Sequence, residues 1–283
     1  MSNKKDSLGD RMKSNYEDIS RYYLTRRTPV IIRVDGKAFH TFTRGMKKPF
    51  DDMLVKSMQA TMKYLCENIQ GCVLGYAQSD EITLVLCDYK NLDTDAWFGY
   101  NVQKMCSVAA SMATMAFNKA FDREVVKFYL NNIDEDNNWL SQEAHIRYAT
   151  YDNARDNGAM FDARCFNIPK EEVTNCLIWR QQDATRNSIE AVGQANFSHK
   201  ELHKKTCNDI QDMLMLQKGI NWNDFATTLK RGSCCVKMND VDLKYDEAGC
   251  ICGGTIRSKW EIDNNIPIFT QDRDYIESRI NFD

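Results

Sequence analysis

A chain of 283 residues with 43% hydrophobic and 27% charged side chains is a globular protein with a substantial core, which excludes a disordered or fibrous polymer. Its net charge of −3 leaves no blanket cationic surface for nucleic acid, so any such contact rests on local basic clusters, of which Arg26-Arg27, Lys47-Lys48, Lys204-Lys205, Lys230-Arg231 and the Arg257/Lys259 pair are the candidates. Eleven cysteines, an odd number set in apolar runs such as Leu65-Cys66 and Leu86-Cys87, read as reduced core residues and exclude a secreted disulfide framework.

In chain order, Leu8, Met12, Tyr16, Ile19 and Tyr22 predict an amphipathic helix over residues 7–24. Residues 28–36, Thr-Pro-Val-Ile-Ile-Arg-Val-Asp-Gly, predict a buried strand, with Pro29 tolerated only at its start. Asp51 or Asp52 then caps a helix whose Leu54, Met58, Met62, Leu65 and Ile69 share a face, and Gly71 ends it. Apolar runs at 73–77 and 82–86 around Gln78-Ser79-Asp80-Glu81 predict a β-hairpin. A second helix is expected over about 96–120, with a stripe of Met105, Val108, Ala109, Met112 and Ala116. Residues 122–157 read as a polar excursion with some helix around 139–148, and 159–168 as a strand stopped by Pro169.

The order strand, helix, two strands, helix, strand predicts an α+β fold, a βαββαβ ferredoxin-like antiparallel sheet with helices on one face. In that topology the first strand lies beside the hairpin's second strand, so Asp35 and Asp80 meet at one end of the sheet. Two carboxylates beside main-chain carbonyls are hard-oxygen donors suited to Mg²⁺. Beyond Pro169 the pattern turns helical over 170–194. The capping-box sequence Ser198-His-Lys-Glu201 predicts a helix running to about 217. A short helix at 221–229, a strand at 233–238, a turn at 246–249 and a strand at 250–259 follow. Residues 1–168 thus read as a palm-like catalytic core and 169–283 as a helical extension with a small hairpin, within one integrated domain. The polar N-terminus and the absence of an apolar run near the roughly 20 residues of a membrane span predict a cytoplasmic protein.

The motifs resemble one family. Arg33-Val-Asp35-Gly36-Lys-Ala-Phe39-His40-Thr-Phe42, Gly75-Tyr76-Ala-Gln78-Ser79-Asp80-Glu81, Phe161-Asp162-Ala-Arg164 and Trp179-Arg180-Gln181-Gln-Asp183-Ala-Thr-Arg-Asn187-Ser188 are similar, in that order, to the tRNA-histidine guanylyltransferase superfamily. Lys230-Arg-Gly232 and Ile266-Pro267-Ile268 look like its C-terminal landmarks. The resemblance spans roughly residues 8–270 and implies a polymerase-like palm that adds nucleotides to the 5′ end of tRNA in the 3′-to-5′ direction. It implies Asp35, Asp80 and the Gly36 carbonyl as ligands of two Mg²⁺ ions, with Glu81 a third, supporting acid; regular strand alternation separately predicts that the Glu81 side chain points to the sheet face opposite that of Asp80, which ranks it below Asp80. It implies nucleotide contacts from Gly36, Lys37, Ala38, Phe39, His40, Lys48, Asp51 and Ser79, a triphosphate contact from Lys104, and ATP and GTP or other NTPs as partners. A homotetramer is implied as well.

Arg180, Asp183 and Asn187 share one helix face; they are either an internal polar network or contacts to tRNA or nucleotide. Eukaryotic members carry a histidine two residues after the aspartate of the Trp-Arg-Gln motif, linked to the histidine anticodon; here that position is Thr185. The departure favours the guanylyltransferase-like branch, template-dependent repair of 5′-truncated tRNA, over strict guanylate addition to tRNA-histidine. A palm-type nucleotide cyclase and a non-catalytic tRNA-binding module are the rival readings.

Overall fold

The structure is a computed structural model that describes residues 7–133, 140–245 and 251–282. Helix α1 (Ser7–Met12) continues without a break through a π-helical turn at Lys13–Glu17 and a 3-10 turn at Asp18–Ser20, with Met12, Glu17 and Asp18 keeping right-handed helical angles at the junctions. The helix expected over 7–24 thus forms as far as Ser20, but it does not pack as an amphipathic one. Its intended apolar face finds no core, and Leu8, Met12, Tyr16, Ile19, Tyr22 and Tyr23 all stay exposed.

Strand β1 (Val30–Gly36) carries four fully buried residues, Val30, Ile31, Ile32 and Val34. Burial of both strand faces explains why its sequence is a continuous apolar run and not an alternating one. After the one-turn α2 (Phe39–Phe42) comes α3 (Asp52–Asn68), which begins at Asp51 as its capping residue. The hairpin β2 (Cys72–Gln78) and β3 (Glu81–Leu86) turns at Ser79-Asp80.

Helix α4 (Val102–Asn132) starts later and runs about three turns further than its stripe suggested. Most of the supposed polar excursion is thus helix, completed by α5 (Gln142–Asn157). Alanine-rich faces hide this from a polarity count, because small residues pack closely without a wide apolar stripe. Strand β4 (Phe161–Asn167) closes the core motif.

Helix α6 (Val173–Asn196) leads to two short helices, α7 (His199–Leu202) and α8 (Cys207–Met213). The Ser198/Glu201 capping box forms as expected, but the helix stops after one turn. A second capping box, Thr206 with Asp209, restarts it, so the sequence contains two starts where one long helix was expected. Helix α9 (Thr227–Arg231), strands β5 (Ser233–Tyr245) and β6 (Ile251–Asp263), and α10 (Asp274–Ile280) complete the described chain. The expected turn at 246–249 lies outside the described residues.

The strands form one antiparallel six-stranded sheet in the order β4-β1-β3-β2-β5-β6. The first four positions are the ferredoxin-like order. The C-terminal hairpin is not a separate appendage, since β5 pairs Ser233–Val236 with Ala77–Leu74 of β2. Nor are the helices confined to one face. Ile32, Val34, Ile82 and Leu84 pack with α3 and α4, whereas Ile31, Leu74, Tyr76 and Val85 pack with Val173 and Leu177 of α6 and Ile276 and Ile280 of α10. The second half of α6 seeds a smaller core of Ile189, Val192, Phe197, Ile210, Leu214 and Trp222. No helix among the described residues is long and apolar enough to cross a membrane.

Candidate active site

Asp35 is the penultimate residue of β1 and Asp80 sits in the two-residue turn between β2 and β3. Register brings them together, because Asp35 lies opposite Glu81, the residue after Asp80. The Gly36 amide donates to the Asp80 carbonyl at 3.1 Å and locks the strand end onto the turn. Asp35 keeps 40% of its side chain exposed, and its nearest cation is Arg164, Nη2 to Oδ2 at 3.8 Å. Burial pushes the Asp80 carboxyl above its ordinary value; the Ser79 hydroxyl, donating at 3.0 Å, opposes the rise, and the neighbouring Asp35 and Glu81 charges add to it.

Both aspartates line a cavity of about 570 Å³ between the sheet end, the start of α3 and the middle of α6. Its walls include Gly36, Ala38, Phe39, His40, Lys48, Asp51 and Ser79, and Asn187 and Ser188 from α6. The tight loop after β1 shapes this wall. A Cβ at Gly36 would fall 2.2 Å from the Phe39 ring. That ring cannot retreat, being packed against Phe42, Phe117 and Phe161 at centroid distances of 5.2, 5.4 and 5.1 Å. Lys37 is exposed beside this loop, with its amide bonded to the Met160 carbonyl at 2.8 Å.

Asp51 has a second occupation. Its buried carboxylate accepts from the amides of Lys47, Met53 and Leu54 and from the Tyr151 hydroxyl at 2.8 Å. It therefore caps α3 and ties α5 to it, at the cavity edge. Among the described residues no cluster of three or more His, Cys, Asp or Glu forms, so the donors at the cavity mouth are the two aspartates and neighbouring carbonyls.

Two expected site residues are not brought here. Lys104 lies in the first turn of α4, exposed, with Nζ 4.7 Å from the Phe98 ring centroid, and does not line the cavity. Helix α4 runs back from the far end of β3, so its first turn stands at the opposite end of the sheet from Asp80. Glu81 shares the face of Asp35, its register partner, and not the opposite face that was expected. The expectation counted from Asp80, which belongs to the turn and not to the pleat. Glu81 is 7% exposed; its Oε2 accepts from Arg33 at 2.6 Å and from Arg180 at 3.0 Å.

Arg180 also donates to Asp183 at 2.5 Å, and Asp183 pairs with Arg186. Of the three residues grouped on one helix face, Arg180 and Asp183 thus form an internal network clamping α6 to the sheet, and only Asn187 reaches the cavity. Sequence reasoning gave no role to Arg33, although a charged residue inside a fully buried strand run signals a buried partner. It also missed Thr228 and Leu229, which line the cavity. Gly232 joins them there; the Tyr76 hydroxyl, donating to the Arg231 carbonyl at 2.6 Å, holds that segment against β2.

A family model described as tRNAHis guanylyltransferase matches residues 9–169, more than half of the chain. The chain belongs to that family. A solved bacterial tRNA(His) guanylyltransferase (Thg1)-like protein in complex with ATP is 40% identical, with a TM-score of 0.76, covering 98% of this chain and 100% of its own. A GTP complex of a bacterial Thg1-like protein is 38% identical, with a TM-score of 0.72 over 97% and 99% of the two chains. The tRNA(His) guanylyltransferase of Saccharomyces cerevisiae is 24% identical over 75% of this chain and 84% of its own. Membership of the tRNAHis guanylyltransferase family makes this a nucleotidyltransferase fold, in which the cavity at the sheet end is the candidate for its chemistry.

Proposed function

We propose that this chain is a metal-dependent 3′-to-5′ nucleotidyltransferase that adds nucleotides to the 5′ end of tRNA, and that its role is repair of 5′-truncated tRNA. The observation that carries the reading is the meeting of the Asp35 and Asp80 carboxylates, on a peptide hydrogen bond from Gly36 to Asp80, at the mouth of a cavity walled by Lys48 and His40. The bacterial relatives solved with ATP and with GTP support nucleotide as the occupant.

The donor set suits Mg²⁺, which takes one or two carboxylates, keeps several waters and completes its shell with substrate phosphates. Burial first, and the neighbouring Asp35 and Glu81 charges after it, hold the Asp80 carboxyl above its ordinary value, and a divalent cation between the two aspartates would favour the charged form. Asp35, Asp80 and the Gly36 carbonyl would hold two such ions, which supply activation of a hydroxyl nucleophile and neutralisation of the leaving group.

The chain's own residues position the rest. The close approach of Phe39 to Gly36 fixes the loop backbone at the cavity wall, where an incoming nucleotide would meet it. Lys48 and His40 stand on the cavity wall, where they would meet the charge of a bound triphosphate, and phosphoryl transfer depends mostly on such placement and charge neutralisation. In the proposed course a 5′-monophosphate first attacks the α-phosphorus of ATP, releasing pyrophosphate and leaving a 5′-adenylylated end. The 3′-hydroxyl of the incoming NTP then attacks the former 5′-phosphate and AMP departs. Base pairing with the opposite strand selects the nucleotide.

Thr185, where eukaryotic relatives of the resemblance carry histidine, is the feature that favours repair over strict guanylate addition. It is half-buried beside the cavity residue Ala184. The test is extension of a 5′-truncated tRNA transcript with Mg²⁺ and NTPs. Asp35→Ala and Asp80→Ala should each abolish extension, and full extension by both would reject the mechanism. Addition to full-length tRNA-histidine alone, with no repair of truncated transcripts, would reject the repair role.

A further inference from the structure

A second concavity, about 560 Å³, opens where α6 ends. Its lining includes Glu190, Gln194, Phe197, His199, His203, Lys204 and Lys205. Two capping boxes pin the segment between α7 and α8 from both sides, Ser198 with Glu201 and Thr206 with Asp209. Between them the chain makes an elbow at 203–205, every residue of it exposed.

Lys204 adopts φ +60°, a left-handed backbone that a non-glycine residue adopts only where its surroundings impose it. Lys204 and Lys205 are both exposed. Lys200 and Lys218 stand nearby, the latter 5.4 Å from the Phe197 ring centroid. Among the described residues none of these four lysines forms a salt bridge. The carboxylates around them are Glu190 on the lining, Glu201, occupied by Ser198, and Asp209, occupied by Thr206. The elbow keeps a small cationic excess, these four lysines against the three carboxylates, since Glu201 and Asp209 stay ionised beside Lys218 and Lys205.

Position supplies the second argument. Asn187 and Ala191 of the first cavity and Gln194 of the second lie on one stripe of α6. Seven residues of helix separate Asn187 from Gln194, about 10 Å. At roughly 3.4 Å per nucleotide along one strand, that interval spans about three nucleotides.

We propose that this elbow and groove, with Lys204, Lys205, His199 and His203, bind the phosphodiester backbone of the RNA substrate a few nucleotides from the end held at Asp35 and Asp80. The inference rests on the nucleotidyltransferase reading for the identity of the RNA. The site reads charge and spacing and not base sequence, since Phe197 is buried and lysines and histidines face the phosphates.

The experiment measures binding of an end-labelled, 5′-truncated tRNA transcript by the whole protein across about 50–200 mM salt. Loss of two phosphate contacts in a Lys204→Ala/Lys205→Ala variant should flatten the slope of log K against log salt by about 1.4–1.8 and raise Kd on the order of tenfold. The Lys204→Arg/Lys205→Arg variant should keep the slope. Lys204→Gly, which suits the left-handed backbone and so preserves folding, should lose about half of the effect. Lys63→Glu, on the exposed side of α3 and already paired with Glu67, should leave the slope alone. An unchanged slope in the double alanine variant, or weaker binding at an unchanged slope, overturns the proposal. Extension activity of the wild-type protein is read in parallel. If it is absent the nucleotidyltransferase reading falls, while the groove is still judged by the binding slopes.

Discussion

Glu81 gives the sharpest separation between a structural and a chemical role. Its carboxylate sits 2.6 Å from Arg33 and 3.0 Å from Arg180, with side-chain exposures of 9% for Glu81, 14% for Arg33 and 5% for Arg180. Glu81→Gln keeps the shape and removes the charge, leaving two buried guanidinium groups short of a counter-charge. Breaking a buried pair from one side costs about 3–5 kcal/mol. Arg180 retains Asp183, which places the expected loss near 3 kcal/mol, at the lower end of that range. At about 2–3 °C per kcal/mol for a chain of this size, the melting temperature should fall by roughly 6–9 °C. A surface pair would lose about 1 kcal/mol or less and move the midpoint by no more than about 3 °C. Calorimetry and urea denaturation of both proteins decide between these. Extension kinetics at 20 °C (well below either midpoint) should change little, since Glu81 does not line the cavity. A variant as stable as wild type but unable to extend tRNA would refute the structural role and make Glu81 part of the chemistry.

Three further outcomes follow from local geometry. Gly232→Ala should destabilise by about 2 kcal/mol or more in denaturant titrations, because φ is +82° and the added Cβ would meet the Ala77 carbonyl oxygen at 2.4 Å, where β2 receives β5. Burial pushes the Cys87 and Cys165 thiols up to about 12, so iodoacetamide at pH 8.5 should label both in denatured protein and neither in native protein by peptide mass mapping. The Asp209 carboxyl is held below its ordinary 3.8 by the Thr206 amide and hydroxyl, so its stabilisation is present above the unfolded value and is lost as pH falls through the folded one. Melting curves from pH 7 to pH 2.5 should therefore show a steeper acid decline for wild type than for Asp209→Asn.

The sequence by itself determined the elements that local physics specifies. The β-branched run Val30-Ile31-Ile32 after Pro29 reads locally as a buried strand, and Gln78-Ser79-Asp80-Glu81 between the apolar runs 73–77 and 82–86 reads as a turn. The capping boxes at Ser198 and Thr206 are equally local, and each started its helix. Because hairpin register follows from turn length, the convergence of Asp35 and Asp80 was legible too, given the strand order. What lies across the chain was not. No periodicity announces that Glu81 answers Arg33 and Arg180, 48 and 99 residues away, or that Lys104 stands at the far end of the sheet. The same holds for α6 crossing the face left open by α3 and α4, and for β5 extending the sheet from β2. Charge pairing and sheet extension depend on which surfaces meet in three dimensions, and tertiary packing alone decides that; spacing along the chain fixes only what can reach its own neighbours.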